Sequence, residues 1–213
     1  MRILLTAAML ITTATAALAG PIPFSTGWKE QRLSLFSSND YDFGESLQMV
    51  SDGSVSIAWS RVGASDWAAS NATWDWSVSE SVPATDLSLK GGDDRNLSLY
   101  FVFVPDAVAP DLEGAGIRSL LGRKDVRVIQ YAWGGNNPVG EVIRSPYGST
   151  GSGVTIPLRL AGTGSASASV NLAADYARSF EGPKGSLVGV AVSGDSDDTD
   201  SRIVARISNF AVK

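Results

Sequence analysis

Two stretches carry the residues able to do chemistry. Residues 194–201, GDSDDTDS, form a dense acidic run. Asp195, Asp197 and either Asp198 or Thr199 offer oxygen ligands at alternating positions on a tight loop, and a hard cation such as Ca²⁺ relieves that kind of crowding. Without a cation the carboxylates repel one another, unless each Asp bonds the turn backbone or points into water. Residues 87–104, LSLKGGDDRNLSLYFVFV, set a polar Gly-Asp turn ahead of an apolar run. There Asp93 and Asp94 either cap the Gly91-Gly92 turn or join the acidic loop, if both turns lie at one end of the fold. Lys90 beside them reads as a local ion pair worth little or as a ligand contact.

The sequence contains no His and no Cys. That removes the usual general base, the usual zinc ligands, the Ser-His-Asp arrangement, thiol nucleophiles and every disulfide. The common hydrolytic arrangement still available is a carboxylate pair, with Asp93 or Asp94 facing Asp195, Asp197 or Asp175 at roughly 5–10 Å. A general acid of that kind needs an apolar pocket to stay protonated, and the acidic loop suits metal binding better. Tyr131 and Trp133 share one face at the end of an apolar run, before Gly134-Gly135-Asn136-Asn137. They read either as core or as an aromatic platform for the apolar faces of a sugar. A net charge of −5 and a pI near 4.7 argue against sequence-independent nucleic-acid binding, which rests on Lys and Arg neutralising phosphates.

The elements that position these residues are strands. Residues 1–19 have the pattern of a cleaved secretory leader: Arg2, an apolar run, then Ala17-Leu18-Ala19 before Gly20. The expected mature chain is residues 20–213, one domain, periplasmic or secreted, with no membrane span after cleavage. Residues 46–50 and 54–62 alternate around Ser51-Asp52-Gly53 and predict a hairpin, with Leu47, Met49, Val55, Ile57 and Trp59 on one side. Residues 72–78 predict a strand with Trp74, Trp76 and Val78 on one face. Residues 97–104 are apolar on both faces and predict a central strand. Residues 126–133, 141–145, 154–160, 187–192 and 202–212 predict further strands, and a short helix is expected around 117–121. Residues 166–173 predict a strand, against a competing helix over 171–180. Short strands punctuated by Gly, Pro and Asn predict an all-β antiparallel sandwich, jelly-roll-like.

Several motifs recur in a fixed order: Trp74-Asp75-Trp76; Lys90-Gly91-Gly92-Asp93-Asp94; Tyr100 to Phe103; Tyr131-Ala132-Trp133; Asp175-Tyr176 with Phe180; and Asp195-Ser196-Asp197-Asp198-Thr199. In this order the chain, from about Phe24 to the C-terminus, resembles the bacterial secreted family called domain of unknown function 3047. In that family the last motif usually reads Asp-Thr-Asp-Asn-Thr-Gly, and here Ser196, Asp198 and Asp200 replace the Thr, Asn and Gly. Glu181 likewise interrupts the usual Phe-Gly. The resemblance implies export and a sandwich similar to carbohydrate-binding domains, with no established activity. The expected role is a non-catalytic module for a glycan or other envelope ligand, contacted through Tyr131, Trp133, Asp93, Asp94, Lys90 and Asp175, with Ca²⁺ at Asp195, Asp197, Asp198 and Thr199. The alternatives are a carboxylate-dependent glycan hydrolase and an assembly protein whose sheet edges pair with a partner.

Overall fold

The computed structural model describes residues 20–33, 37–120, 123–147 and 152–213. The leader pattern at 1–19, Leu121, and most of the Gly/Ser-rich loop at 148–153 lie outside the described residues. In chain order the strands are β1 (Gly20–Pro21), β2 (Lys29–Arg32), β3 (Asp40–Phe43), β4 (Leu47–Asp52), β5 (Ser56–Arg61), β6 (Asn71–Glu80) and β7 (Arg95–Val104). After them come β8 (Arg127–Trp133), β9 (Ile143–Arg144), β10 (Gly153–Arg159), β11 (Gly164–Asn171), helix α1 (Leu172–Ser179), β12 (Ser186–Asp195) and β13 (Arg202–Val212). One sheet runs β11-β6-β13-β4-β3, with β1 also on β13, and the other runs β2-β5-β12-β7-β8-β10-β9. They face each other across one apolar core, as a sandwich. The second sheet is mixed, because β10 runs parallel to β8, where the sequence predicted antiparallel pairing throughout.

Strict alternation builds β6: Ala72, Trp74, Trp76 and Val78 are buried while the residues between them face outward. β7 lies between β12 and β8, and Leu97, Leu99, Phe101 and Phe103 fill the core from it. Both readings of residues 166–180 hold, on either side of Asn171. The strand ends there, and the Asn171 side chain caps α1 by accepting a bond from Ala174 N at 2.8 Å. Leu172, Tyr176 and Ser179 then form the buried stripe of the helix.

The predicted hairpin does not form. β4 pairs with β13 and β3 in one sheet, whereas β5 pairs with β12 and β2 in the other. Ser51-Asp52-Gly53 is a corner between sheets, held where Gly53 N donates to Ser201 O at 3.0 Å and Ser196 N to Ser54 O at 3.2 Å. The facing of β5 is also inverted. Ser56, Ala58 and Ser60 are buried, while Val55, Ile57 and Trp59 look outward. The physical reason is the long connection before β8, whose Leu112, Ala115, Ile117 and Leu120 cover the outer side of this sheet beside Trp59. A second apolar layer lies there, around Val104, Ala109 and Val126. The short helix expected in this connection is a 3-10 turn, Ile117–Ser119.

Two phenols, the half-buried Tyr41 and the buried Tyr131, give this core a pH limit. Burial pushes the Tyr41 hydroxyl up to about 12, against its bonds to Ser56 and Asn39. Burial, and then donation to Asp175, pushes Tyr131 up as well. Between pH 10 and 12 the folded state therefore holds protons that the unfolded state has lost. Stability is full below pH 10 and falls as pH rises, by about 2–3 kcal/mol at pH 12 for Tyr41 alone. Urea unfolding between pH 8 and 12 should show this slope, reduced in Tyr41→Phe. A slope unchanged by that substitution would refute the assignment.

Candidate functional site

The two polar stretches meet at one end of the sandwich because a β-bulge brings them there. Ser98 faces Ser193, yet Arg95 faces Asp195, so β7 carries one residue more than β12 over this span. The extra residue turns Arg95 away from the inward parity of Leu97, Leu99 and Phe101 and onto the side of Tyr100, whose hydroxyl lies 2.8 Å from Arg95 Nη2. The end of β8 packs flat on this residue: a Cβ at Gly134 would stand 2.7 Å from Arg95 Cβ.

Arg95 is 8% exposed and sits between two carboxylates. Its Nη1 lies 3.0 Å from Asp195 Oδ2 and 3.3 Å from Asp93 Oδ2, and also donates to the Asp93 carbonyl. Burial works against its charge, but Tyr100, Asp195 and Asp93 together outweigh that and hold the guanidinium above its ordinary range. Asp195 is buried too, and its Oδ1 has no hydrogen-bond partner among the described residues. Its carboxyl is pushed up to about 7, chiefly by burial, against the attraction of Arg95 and with the help of Asp197 and Asp94.

Beside this pair stand Asp94, Asp197 and Asp198, each with a carboxylate oxygen within 4.8 Å of the other two. Asp94 is fully buried. Its Oδ2 accepts from Thr199 N at 2.8 Å and from Thr199 Oγ1 at 2.5 Å, and its Oδ1 accepts from Asp198 N at 3.4 Å. Burial first, and then Asp197, Asp94 and Asp93, raise the Asp198 carboxyl above its ordinary value. The loop keeps its turn through Ser201 N donating to Ser196 O at 3.2 Å, with Asp200 in the left-handed region at φ 49°. That conformation favours glycine and is tolerated by Asp. It is also where the resembled family usually carries Gly.

A cleft of about 180 Å³ opens next to Arg95 on the outer side of the mixed sheet. Asp93, Arg95, Tyr100, Gln130, Tyr147 and Thr155 line it. Gln130 accepts from Thr155 Oγ1 at 3.0 Å and donates to Ser98 Oγ at 2.9 Å, which fixes its amide across three strands. Tyr147 is 59% exposed and donates to Asp93 Oδ1 at 2.8 Å. Lys90 sets its ammonium 5.7 Å from the centroid of the Tyr147 ring. A shallower trough of about 490 Å³ lies on the outer side of the other sheet, walled by Asp75, Ser77, Ser165, Ser167, Arg206 and Ser208.

Of the residues predicted for ligand contact, Asp93, Asp94 and Lys90 gather at this end with Asp195, Asp197, Asp198 and Thr199. The aromatic platform is corrected. Tyr131 and Trp133 are 0% and 1% exposed, because β8 turns them inward onto the other sheet. Tyr131 packs on Trp74 and Phe101, and Trp133 meets Trp76 edge-on at 5.5 Å. Neither ring has a face for a sugar. Asp175 is not in the acidic group either. It sits on α1, accepting from Tyr131 Oη at 2.5 Å and pairing with Arg178 at 2.8 Å. Thr199 donates its hydroxyl to Asp94 Oδ2 and keeps its oxygen lone pairs. Sequence reasoning missed Arg95, Tyr100, Gln130, Tyr147 and Thr155. The available signal was Arg95, a cation placed directly after two aspartates and opening an apolar strand.

No curated protein matches the chain in sequence. Among solved structures, the fold is similar to the xyloglucanase domain of NopAA, a type three effector from Sinorhizobium fredii in complex with cellobiose, at 11% identity and a TM-score of 0.46, covering 94% of this chain and 99% of that one. Residues 26–211 match the family described as "Protein of unknown function (DUF3047)", and the chain belongs to that family.

Proposed function

We propose that this protein is an exported, non-catalytic binding module whose end cleft holds a short neutral glycan. The carrying observation is the chemistry of the cleft wall. One guanidinium is matched by two carboxylates, Asp93 and Asp195, which leaves it no positive charge to spend on an anionic ligand. What remains are hydroxyl, amide and carboxylate groups from Tyr100, Gln130, Thr155 and Asp93, converging beside an exposed Tyr147 ring. Sugar hydroxyls both donate and accept and so satisfy such a wall, and an aromatic ring complements their apolar faces. The pattern of residues 1–19 supports export, and among the described residues no helix is long and apolar enough to cross a membrane.

Calorimetric titration against neutral and acidic oligosaccharides tests this. A neutral ligand should bind, and Tyr147→Ala or Gln130→Ala should weaken it tenfold or more, equivalent to about 1.4 kcal/mol. Tyr147→Ala should leave the thermal midpoint nearly unchanged, since the side chain is exposed. A preference for acidic sugars, or binding indifferent to both substitutions, would refute the cleft.

One observation favours a hydrolase: the Asp195 carboxyl lies near 7, which suits a general acid. Its 7% exposure and its position under Arg95 keep it from a glycosidic oxygen, so binding is the preferred reading. Release of reducing ends from a bound glycan, lost in Asp195→Asn, would reverse that preference.

A further inference from the structure

We propose that Asp94, Asp195, Asp197 and Asp198 form a Ca²⁺ site that ties the turn before β7 to the loop between β12 and β13. The carboxylate oxygens of Asp94, Asp197 and Asp198 that lie within 4.8 Å of one another match oxygens on opposite sides of one Ca²⁺, about twice the 2.3–2.6 Å ligand distance. Crowded carboxylates alone would mean little. The independent observation is Asp195, whose side chain is nine-tenths buried, with Oδ2 on Arg95 and Oδ1 without a donor among the described residues. Asp197 and Asp94, two members of the acidic group, act on this carboxyl. Its Oδ1 is a buried acceptor with no donor among the described residues, and a buried carboxylate oxygen left in that state is costly. A cation held with Asp94 and the exposed Asp197 and Asp198 supplies what that oxygen lacks.

The surroundings are built to present these oxygens. Thr199 N and Oγ1 hold Asp94 Oδ2, and the backbone N of Asp198 reaches Asp94 Oδ1, so the loop is pinned around the buried ligand. Arg95 compensates only part of the charge, and it is already shared with Asp93. Ca²⁺ fits better than Mg²⁺, because Ca²⁺ accepts several carboxylates in loose geometry, whereas Mg²⁺ keeps most of its waters. The site touches the glycan cleft through Asp93 and Arg95 but does not rest on that reading.

Thermal melts of the purified protein in Ca²⁺ and in chelator test the proposal, with equilibrium dialysis of radioactive calcium as a direct count. At a hundred times its Kd, Ca²⁺ should raise the midpoint by about 5–10 °C, with Mg²⁺ doing much less. Dialysis should give one bound ion per chain. The exposed pair Asp197→Asn with Asp198→Asn should abolish both effects and should melt above the native protein in chelator, because repulsion is relieved. Coincident native melts with no bound ion would overturn the site, as would a calcium shift that persists in the double variant. Glycan titration in chelator separates the two claims: binding that survives there while the calcium shift is real leaves both standing.

Discussion

Truncating Trp133 to alanine is expected to cost about 3–5 kcal/mol of folding stability, the range for removing a fully buried large aromatic. The indole is 1% exposed, meets Trp76 edge-on, and carries the Arg159 guanidinium 4.6 Å from its ring centroid. Removing it opens a void between sheets that cannot collapse, since strands pack it on both sides. For a domain of this size the thermal midpoint should fall by roughly 10–15 °C. Trp59→Ala, on the partly covered outer side, should cost clearly less. Were Trp133→Ala instead to leave the urea midpoint unchanged, the ring would have to lie outside the core.

Replacing Arg95 by methionine is the second large effect expected, again about 3–5 kcal/mol, the cost of stranding a buried charge. Methionine fills similar space, so the loss is electrostatic: Asp195 and Asp93 keep their burial and lose the guanidinium they share. The diagnostic is rescue. Adding Asp195→Asn to Arg95→Met removes one orphaned carboxylate and should recover about 1–3 kcal/mol, the cost of an unsatisfied buried group. Urea unfolding of the four proteins in chelator closes a double-mutant cycle. Strictly additive costs would mean the two residues are not coupled, and the account of this end of the fold would fail.

What could be read in advance follows from which forces are local. β6 and β7 were legible because alternation in one and double-sided apolarity in the other are imposed by the sheet on each strand's own residues. α1 was legible as one of two alternatives, and Asn171 turned out to serve both as strand end and as cap. The hairpin over residues 46–62 failed because Ser51-Asp52-Gly53 has the chemistry of a turn, and turn chemistry does not say whether the strands it joins share a sheet. β5 was phased wrongly because its outward Trp59 lies beside a connection some fifty residues later, which no local window contains. The gathering of Asp94 with Asp197 and Asp198 depended on both loops reaching the same end, a condition stated but not decided by the sequence. The cleft was hidden because Gln130, Thr155 and Tyr147 are ordinary polar residues until β8, β10 and the turn after β9 bring them together.

The placement of β13 has a consequence for how the chain acquires its structure. Residues 202–212 pair with β6, β4 and β1, so they form the middle of their sheet although they come last among the strands. Until those residues are available, β6 and β4 have no partner between them, and their buried faces, with Trp74, Trp76, Leu47 and Met49, stay open. Pairing must therefore await nearly the whole chain, and its contacts span long sequence separations, from Arg202 back to Asp52 and from Val212 back to Gly20. Such topologies fold in milliseconds to seconds and expose sticky strand edges while they do so. A version ending before residue 202 should aggregate rather than populate half a sandwich.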